Sequence, residues 1–308
     1  MLTLMLSLVS AQEAPPIVNG STTSNFEQVG AIMAYYEGYG GAPFCSGTLI
    51  HEKWVVTAAH CVEAVEEYSN AGYDIYFVTG TNLYAENGWS YYDLAVDWIM
   101  HPDYGGINSS TIAADIGLME LDVGISELTP TPLNDIIPGI DWQGVVLDYV
   151  GWGITSDNAE DSGVKRTTRI PYIEADEQFI YSYDPNTNLC SGDSGGAALR
   201  EMEDGDFVLV GVNSFVFAQQ GNTPCVGGAS GATRIDAFLD WIYSYVPEPE
   251  PVVVEEDTGC DDDDCCEDDC EEEVKWWESC SVASPNMSVG FILLGIALAA
   301  RRRRSEIS

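Results

Sequence analysis

Positive charge is the scarcest property of this 308-residue chain, which has 11 Lys and Arg against 50 Asp and Glu. The formal net charge at pH 7 is −39. Binding to the phosphate backbone of a nucleic acid needs clustered Lys and Arg, so the composition excludes a nucleic-acid-binding protein. A strongly acidic surface instead favours solubility and attracts cationic partners at low salt.

Long hydrophobic runs are also missing. The most apolar stretch, Met287–Ala300, would reach roughly 21 Å as a helix, short of the ~30 Å hydrocarbon core of a membrane. A permanent span would therefore need tilting or local thinning of the bilayer. The run Arg301–Arg304 follows directly and would hold that end in the cytoplasm. We expect a short hydrophobic helix with an arginine cluster over 287–304.

Cysteine is limited to nine residues, an odd number that leaves at least one unpaired. Four lie in the globular part and five in the tail, where Cys280 is the candidate for the unpaired thiol. An exported protein forms disulfides more readily than zinc sites. The other four tail cysteines allow three pairings: Cys260, Cys265, Cys266 and Cys270. The sequence predicts no cofactor and leaves Ca²⁺ binding by the acidic segments open.

The composition changes along the chain and predicts its organisation. Residues 1–11 are apolar and end in small residues, as a signal peptide does, and 12–16 would be a short propeptide. The globular part covers 17–246. A stiff Pro/Glu linker follows over 247–259, and then an acidic, cysteine-rich spacer over 260–280.

The globular part has the pattern of an all-β protein. Short apolar runs such as "WVVTAA" and "FVLVGVNSF" alternate with Gly, Asn, Asp and Pro, which indicates a sandwich or a barrel. One segment differs, because apolar residues recur at helical spacing from Ile235 to Val246. We therefore expect the domain to close with an amphipathic helix.

Three short motifs together indicate nucleophilic catalysis. "WVVTAAHC" places His60 after a buried strand, and it is one of only three histidines in the chain. "AADIGLMEL" places Asp115 at the head of an apolar strand, where a carboxylate is costly to bury without donors. "CSGDSGG" places Ser194 among glycines that permit a tight turn. A serine, a base and an acid that orients the base are the parts that hydrolysis of a peptide bond needs.

In this order the motifs resemble those of the trypsin/chymotrypsin-like serine proteases. The resemblance runs from Ile17 to about Val246, and "IVNG", "HPDY", "VGWG" and "IDAFLDWI" add to it. It implies two six-stranded antiparallel β-barrels and a C-terminal helix. The tail beyond the linker would add the acidic cysteine-rich spacer and the short hydrophobic helix.

The resemblance also implies the catalytic roles. Ser194 would attack the substrate, His60 would act as general base and then general acid, and Asp115 would orient the imidazole. The main-chain N–H groups of Gly192 and Ser194 would form the oxyanion hole. Two disulfides are implied in the same way: Cys45–Cys61 and Cys190–Cys225.

Activation is implied by Asp193, the acid before the serine. In the family such an acid pairs with a new amino group, which here would be that of Ile17. "APP" precedes Ile17 instead of the usual Arg or Lys. A trypsin-like activator would not cut there, so another protease or trimming would release the active form.

The substrate pocket is expected to be small and uncharged. Asn188 stands where an Asp would select Lys or Arg, and Ser214, Phe215 and Val216 would form the strand that aligns the substrate. Val216 would narrow the pocket, and Ser230 would form the opposite wall. The expected function is a secreted or surface-attached serine endopeptidase that prefers small or uncharged residues.

Two alternatives concern the role and the tail. A catalytically silent relative would serve as a binding module or adhesin on the cell surface. The tail resembles the myxobacterial-type C-terminal sorting signals over about Ser279–Arg304. The alternative interpretation of the same segment is a plain tail anchor. Under the first reading a sorting protease would process the chain at Cys280, with lipidation of that residue possible. The partners expected overall are protein or peptide substrates, an activating protease, that sorting protease and a membrane.

Overall fold

The computed structural model describes residues 16–106, 112–219 and 221–249. The segments predicted at 1–11 and beyond 249, with the tail cysteines and the helix at 287–304, lie outside the described residues. Among the described residues, no helix is long and apolar enough to cross a membrane.

The first barrel is built from six antiparallel strands and closes on itself. The strands are β2 (Val29–Tyr36), β3 (Gly40–His51), β4 (Trp54–Thr57), β5 (Asp74–Gly80), β6 (Trp89–Met100) and β7 (Gly117–Leu121). They pair in the order β2-β3-β4-β7-β6-β5. A Cβ on Gly30 of β2 would lie 2.5 Å from the ring of Phe77, so the glycine makes room for this buried ring.

The second barrel also has six antiparallel strands, in the order β9-β10-β13-β12-β11-β8, and pairing between β8 and β9 closes it. A two-residue strand, β1 (Ser21–Thr22), adds to β9 at its outer side. The six are β8 (Val146–Gly151), β9 (Arg166–Ala175), β10 (Phe179–Tyr183), β11 (Ala197–Glu201), β12 (Phe207–Phe217) and β13 (Ala229–Arg234). The predicted all-β fold with two barrels is confirmed.

Helices differ from the sequence expectation in two places. The closing helix covers only Leu239–Tyr243, because a bend and a turn occupy the residues between β13 and Leu239. A helix that we did not expect, Ala59–Asn70, follows β4. It buries Ala59, Val62 and Val65, and this spacing was a helical signal in the sequence. A single 3₁₀ turn covers Ile140–Trp142.

Candidate active site

His60 lies in the first turn of the helix Ala59–Asn70, directly after the buried strand β4. Its ring Nδ1 lies 2.9 Å from Asp115 Oδ2. Its main-chain N–H donates to Asp115 Oδ1 at 3.0 Å. The two contacts fix the position and the plane of the imidazole and leave Nε2 for another partner.

Asp115 is buried, two residues before β7, and its carboxylate receives donors from three groups. Besides the two from His60, the hydroxyl of Ser214 donates to Oδ2. The hydroxyl of Thr233 donates to the main-chain carbonyl of Asp115 at 2.8 Å. Burial would raise the pKa of Asp115, but the hydrogen bonds from His60 and Ser214 outweigh it and bring the pKa below its ordinary value. The carboxylate therefore stays ionised at neutral pH.

A β-bulge in strand β12 turns Ser214 towards Asp115. On this strand Asn213 pairs with Ala232 and Phe215 pairs with Gly231, so Ser214 has no partner on β13. A bulge of this kind bends the strand locally and re-aims a side chain, and bulges are common next to active sites. From the sequence we expected Ser214 only to align the substrate through its backbone.

The loop that carries Ser194 depends on its glycines. Gly192 has φ +90° and Gly195 has φ +80°, which is the left-handed region that other residues rarely adopt. A Cβ on Gly195 would also lie 2.0 Å from the hydroxyl oxygen of Thr57. The loop therefore approaches the first barrel more closely than any side chain would allow.

Ser46 on strand β3 holds this loop from the other barrel, and sequence reasoning missed it. Its main-chain N–H donates to the carbonyl of Ser194 at 2.8 Å. Its hydroxyl donates to the carbonyl of Gly192 at 2.9 Å and accepts from the N–H of Trp152 at 3.0 Å. The residue is fully buried. A serine following "FC" in the sequence has no feature that would have marked it as functional.

The oxyanion donors predicted from the sequence are free in the structure. In the part of the chain that the structure describes, neither the N–H of Gly192 nor that of Ser194 donates to a protein acceptor. Two unengaged N–H groups beside a serine hydroxyl are what stabilisation of a developing oxyanion requires.

The candidate catalytic side chains line two neighbouring cavities. One has a volume of about 210 Å³ and is lined by His60 and Asp115. The other has about 180 Å³ and is lined by Ser194. Ser214 and Phe215 line both. His60 and Asp115 thus line one cavity, and Ser194 lines the adjoining one.

Asp193, between Gly192 and Ser194 in the chain, is fully buried. Its carboxylate accepts the N–H of Gly153 at 2.8 Å and that of Cys190 at 2.9 Å. Burial raises the pKa of Asp193 to about 6, although these two bonds and the charge of Arg166 act in the opposite direction. Arg166 is itself buried and donates to the carbonyl of Gly153 at 2.7 Å.

The segment after Pro16 packs against the second barrel. Ile17 is fully buried, and Val18 forms an antiparallel bridge with Asn188. The side-chain amide of Asn19 donates to the carbonyl of Asn186. These contacts hold the start of "IVNG" against the loop that leads to Ser194.

The residues expected to form the pocket separate into two groups. Val216 lines the 180 Å³ cavity beside Ser194, and so does Asn213, which we did not predict. Asn188 and Ser230 are buried but do not line that cavity. The side-chain amide of Asn188 donates to the carbonyl of Pro224 at 2.9 Å.

Ser230 is turned away from the cavity by a hydroxyl network. It pairs with Val216 across β12 and β13, and its hydroxyl lies 3.5 Å from the carbonyl of Ser182. The phenol of Tyr149 donates to the hydroxyl of Ser182 at 2.8 Å. The hydroxyl of Ser230, which we expected on the opposite wall of the pocket, is therefore engaged within the protein.

Both implied disulfides are present. Cys45–Cys61 joins β3 to the helix that carries His60, and Cys190–Cys225 joins the serine loop to the segment before β13. Donor atoms of Cys45, His60 and Cys61 lie within 4.8 Å of one another, but both sulfurs are bonded to each other and offer no thiolate to a metal.

Comparisons with known proteins agree with this geometry. The family model described as "Trypsin" matches residues 17–242. Brachyurin from Leptuca pugilator is 30% identical over 208 residues, which is 65% of this chain and 86% of that protein. Chymotrypsin-like elastase family member 1 from Macaca fascicularis is 27% identical over 234 residues, 68% of this chain and 81% of that protein. The human protein of the same name is 26% identical over 267 residues, 77% and 96% respectively.

Proposed function

We propose, from the premise that this chain belongs to the trypsin family and is a serine endopeptidase, that Ser194, His60 and Asp115 carry out the hydrolysis. The contact that carries the proposal is the pair of hydrogen bonds from His60 to Asp115, at 2.9 and 3.0 Å. They hold the imidazole with Nδ1 towards the carboxylate, so Nε2 is the basic nitrogen that faces the reaction.

The chemistry proceeds in two halves. Ser194 Oγ attacks the peptide carbonyl carbon while His60 Nε2 takes the hydroxyl proton. His60 then gives this proton to the leaving amine, the C–N bond breaks, and an acyl-enzyme remains. Water attacks the acyl-enzyme with His60 again as base, which releases the carboxylic acid and restores Ser194. In both halves the N–H groups of Gly192 and Ser194 stabilise the oxyanion.

Covalent labelling tests the assignment directly. A fluorophosphonate should modify Ser194 alone, as located by mass spectrometry of the peptides. A folded protein that stays unlabelled would instead support the silent binding module or adhesin.

Activation is proposed to depend on a free amino group at Ile17. The support is the burial of Ile17, the bridge between Val18 and Asn188, and a fully buried Asp193, whose pKa burial raises to about 6. An ammonium group at Ile17 would supply a counter-charge. Because no Lys or Arg precedes Ile17, a protease of other specificity or stepwise trimming would expose it.

The preferred substrate is proposed to have a small, uncharged side chain on the acyl side of the cleaved bond. The cavity beside Ser194 has only about 180 Å³, and Val216 narrows it. Its lining carries no charged residue. Two of the relatives are named as elastases, which supports the same reading. A peptide panel with Ala, Leu, Phe and Lys at this position tests it, and a strong preference for Lys would refute it.

Replacing Val216 with Gly should change the preference towards large side chains. Removing the isopropyl group opens the cavity, and a few methyl groups in an apolar pocket are worth about 10- to 200-fold in discrimination. We expect kcat/KM for Phe relative to Ala to rise at least about tenfold, measured with peptide nitroanilides. Val123→Gly removes the same group from an exposed site and should leave the ratio unchanged. An equal ratio in all three proteins would contradict the role of Val216.

Replacing Ser214 with Ala should destabilise the protein more at neutral than at acid pH. The hydroxyl helps to lower the pKa of Asp115, so its contribution is present above the ordinary pKa of 3.8 and is lost as pH falls through the lower folded value. Because the hydroxyl bonds a charged group, we expect the free energy of unfolding of the variant at pH 7 to be about 1.5–3 kcal/mol lower than that of the parent, as measured with urea. At pH 3 the difference should be smaller. Ser244→Ala, whose hydroxyl bonds a carbonyl, should show no such pH dependence. A constant deficit for Ser214→Ala would show that the bond does not act on the ionised carboxylate.

Export is the proposed location. Two disulfides in the described part fit an oxidising compartment. Attachment to the cell surface through the tail, with processing at Cys280, is the second part of this proposal. Mass spectrometry of the mature protein would locate both ends and any lipid.

A further inference from the structure

A cavity of about 620 Å³ lies on the outer face of the second barrel. On strand β8, Asp148 pairs with Arg169 of β9 and with Leu199 of β11, so these three side chains point to the same side of the sheet. The opposite side carries Tyr149 and Ala198, which are fully buried in a hydrophobic cluster of that barrel. The cavity shares no lining residue with the two cavities beside the catalytic side chains.

Much of the wall of this cavity is apolar. The chain before β2 contributes Phe26, and β12 begins with Phe207; their rings meet edge to face, with centroids 5.1 Å apart. The connection from β7 to β8 contributes Pro130 and Pro132, and β11 contributes Leu199. Such walls can bury a chain of methylene groups, and the volume lies in the range of about 300–1,000 Å³ that small-molecule sites have.

The charged residues that line the cavity have an excess of carboxylates. Asp148, Glu201 and Asp206 stand against a single cation, Arg169. Arg169 lies 3.6 Å from Asp148 and 3.9 Å from Glu201, so two carboxylates share one guanidinium group. The side chain of Arg169 is 61% exposed, and an ion pair with such an exposed partner is screened by water. The lining therefore attracts further positive charge.

Asp148 is the buried member of this set. The residue is 8% exposed, and in the described part of the chain its carboxylate accepts no hydrogen bond, since Arg169 at 3.6 Å is too distant for one. Burial raises the pKa of Asp148, although the charge of Arg169 acts in the opposite direction. The hydroxyl of Thr167, in the same lining, is also buried and has no partner among the described residues. Polar groups buried in this way are costly, and a ligand that donates hydrogen bonds would lower the cost.

The carboxylates of the cavity are too far apart to hold a metal ion together. Ca²⁺ takes several oxygen ligands at once. Among the described residues, no three acidic side chains place their oxygens within 4.8 Å of one another. Negative charge that is spread over a long cavity suits a ligand whose positive charges are also spread along its length.

We propose that this cavity binds an aliphatic polyamine. One ammonium group would donate to Asp148, and the others would lie at Glu201 and Asp206. The methylene groups between them would contact Phe26 and Phe207, whose rings also attract cations. A single Lys side chain has one charge and would leave two of the carboxylates without a partner. The proposal goes beyond the proposed function, because none of these residues takes part in hydrolysis.

Calorimetric titration with spermidine tests the proposal. The protein is the whole chain with Ser194→Ala, which cannot digest itself. We expect one saturable site per chain at low salt, and weaker binding in about 0.5 M salt. Asp148→Asn removes the buried charge, and Glu201→Lys adds an ammonium group to the lining. Each should weaken the affinity by about tenfold or more, because the lost contact is between charged groups.

Glu203→Lys is the matched control for Glu201→Lys. Glu203 is exposed and lies two residues further along the chain, but it does not line the cavity. The two variants have the same net charge, so weak binding of spermidine elsewhere on this acidic chain is equal in both. The control should keep the affinity of the parent.

Three outcomes would overturn the proposal. The first is equal affinity of the Glu201→Lys and Glu203→Lys proteins, and the second is unchanged affinity in Asp148→Asn. Urea unfolding checks that each variant folds; if Asp148→Asn does not, Glu201→Lys decides, since that side chain is 51% exposed. The third is butylamine binding as tightly as spermidine, which would indicate a ligand with one charge, such as a lysine side chain. The titration measures binding without catalysis, so failure of the proposed function would leave its result unaffected.

Discussion

Ser194→Ala should lower kcat/KM by about 10⁴- to 10⁶-fold, the range expected when one member of a catalytic triad is removed. The effect is this large because no other group in the cleft replaces the nucleophile, while the oxyanion donors and the pocket keep a residual rate over water. The side chain is half-buried and makes no hydrogen bond to the described part of the chain, so the free energy of unfolding should change by less than about 1 kcal/mol.

The measurement uses a peptide nitroanilide with Ala at the acyl side and urea unfolding of the same preparation. Ser90→Ala, on the exposed face of β6, is the control that should keep both activity and fluorophosphonate labelling. Activity of Ser194→Ala within tenfold of the parent would remove Ser194 from the mechanism.

Asp193→Asn should stabilise the unprocessed chain near neutral pH and lower the catalytic activity of the processed enzyme. In the unprocessed chain the pKa of Asp193 is raised by burial from 3.8 to about 6. A carboxyl group with a raised folded pKa favours the folded state below 3.8, and this advantage is lost as pH rises through 6. The corresponding loss is about 3 kcal/mol of unfolding free energy between these pH values. The Asn variant has no charge to ionise and should not show this loss.

With a free amino group at Ile17, the same carboxylate gains a partner. Asp193→Asn should then lower kcat/KM by about 10²- to 10³-fold, because the loop that presents the N–H of Gly192 loses the ion pair that orders it. Protein that keeps residues before Ile17 should be comparably weak. Its activity is compared with that of trimmed protein, using active-site labelling to count competent molecules.

Stability is measured by urea unfolding at pH 4, 6 and 8 on Ser194→Ala backgrounds, which prevents self-digestion. Asp240→Asn is the control, since it removes the carboxylate of an exposed residue far along the chain from the serine loop. The same pH dependence in Asp193→Asn and its parent would refute the burial argument. Full activity with residues still attached before Ile17 would refute the activation step.

Much of the fold was predictable because its signals are local in the chain. Short apolar runs between turn residues indicated β-strands, and the motifs around His60, Asp115 and Ser194 implied two barrels through a family resemblance. The helix Ala59–Asn70 was missed, although its buried residues recur at helical spacing. The closing helix was predicted too long, because buried residues keep the helical spacing from Ile235 to Val246 whereas the helix itself covers only Leu239–Tyr243.

The supporting residues of the site were not predictable from their neighbours in sequence. Ser214 reaches Asp115 only because a bulge shifts the register of β12 against β13. Ser46 bonds the loop of Ser194 across the two barrels, over a separation of 146 residues to Gly192. Such contacts depend on how two closed sheets face each other, and no local pattern encodes that.

The sequence by itself determined the family, the enzyme class and the residue types available for catalysis, because each rests on a short motif of fixed spacing. The tertiary structure decided which of the pocket candidates line the cavity beside Ser194. Asn188 and Ser230 are turned into protein hydrogen bonds, whereas Val216 and Asn213 line the cavity. The physical reason is that side-chain direction and hydrogen-bond partners are set by packing between distant segments, while motifs record only what lies next to each other in the chain.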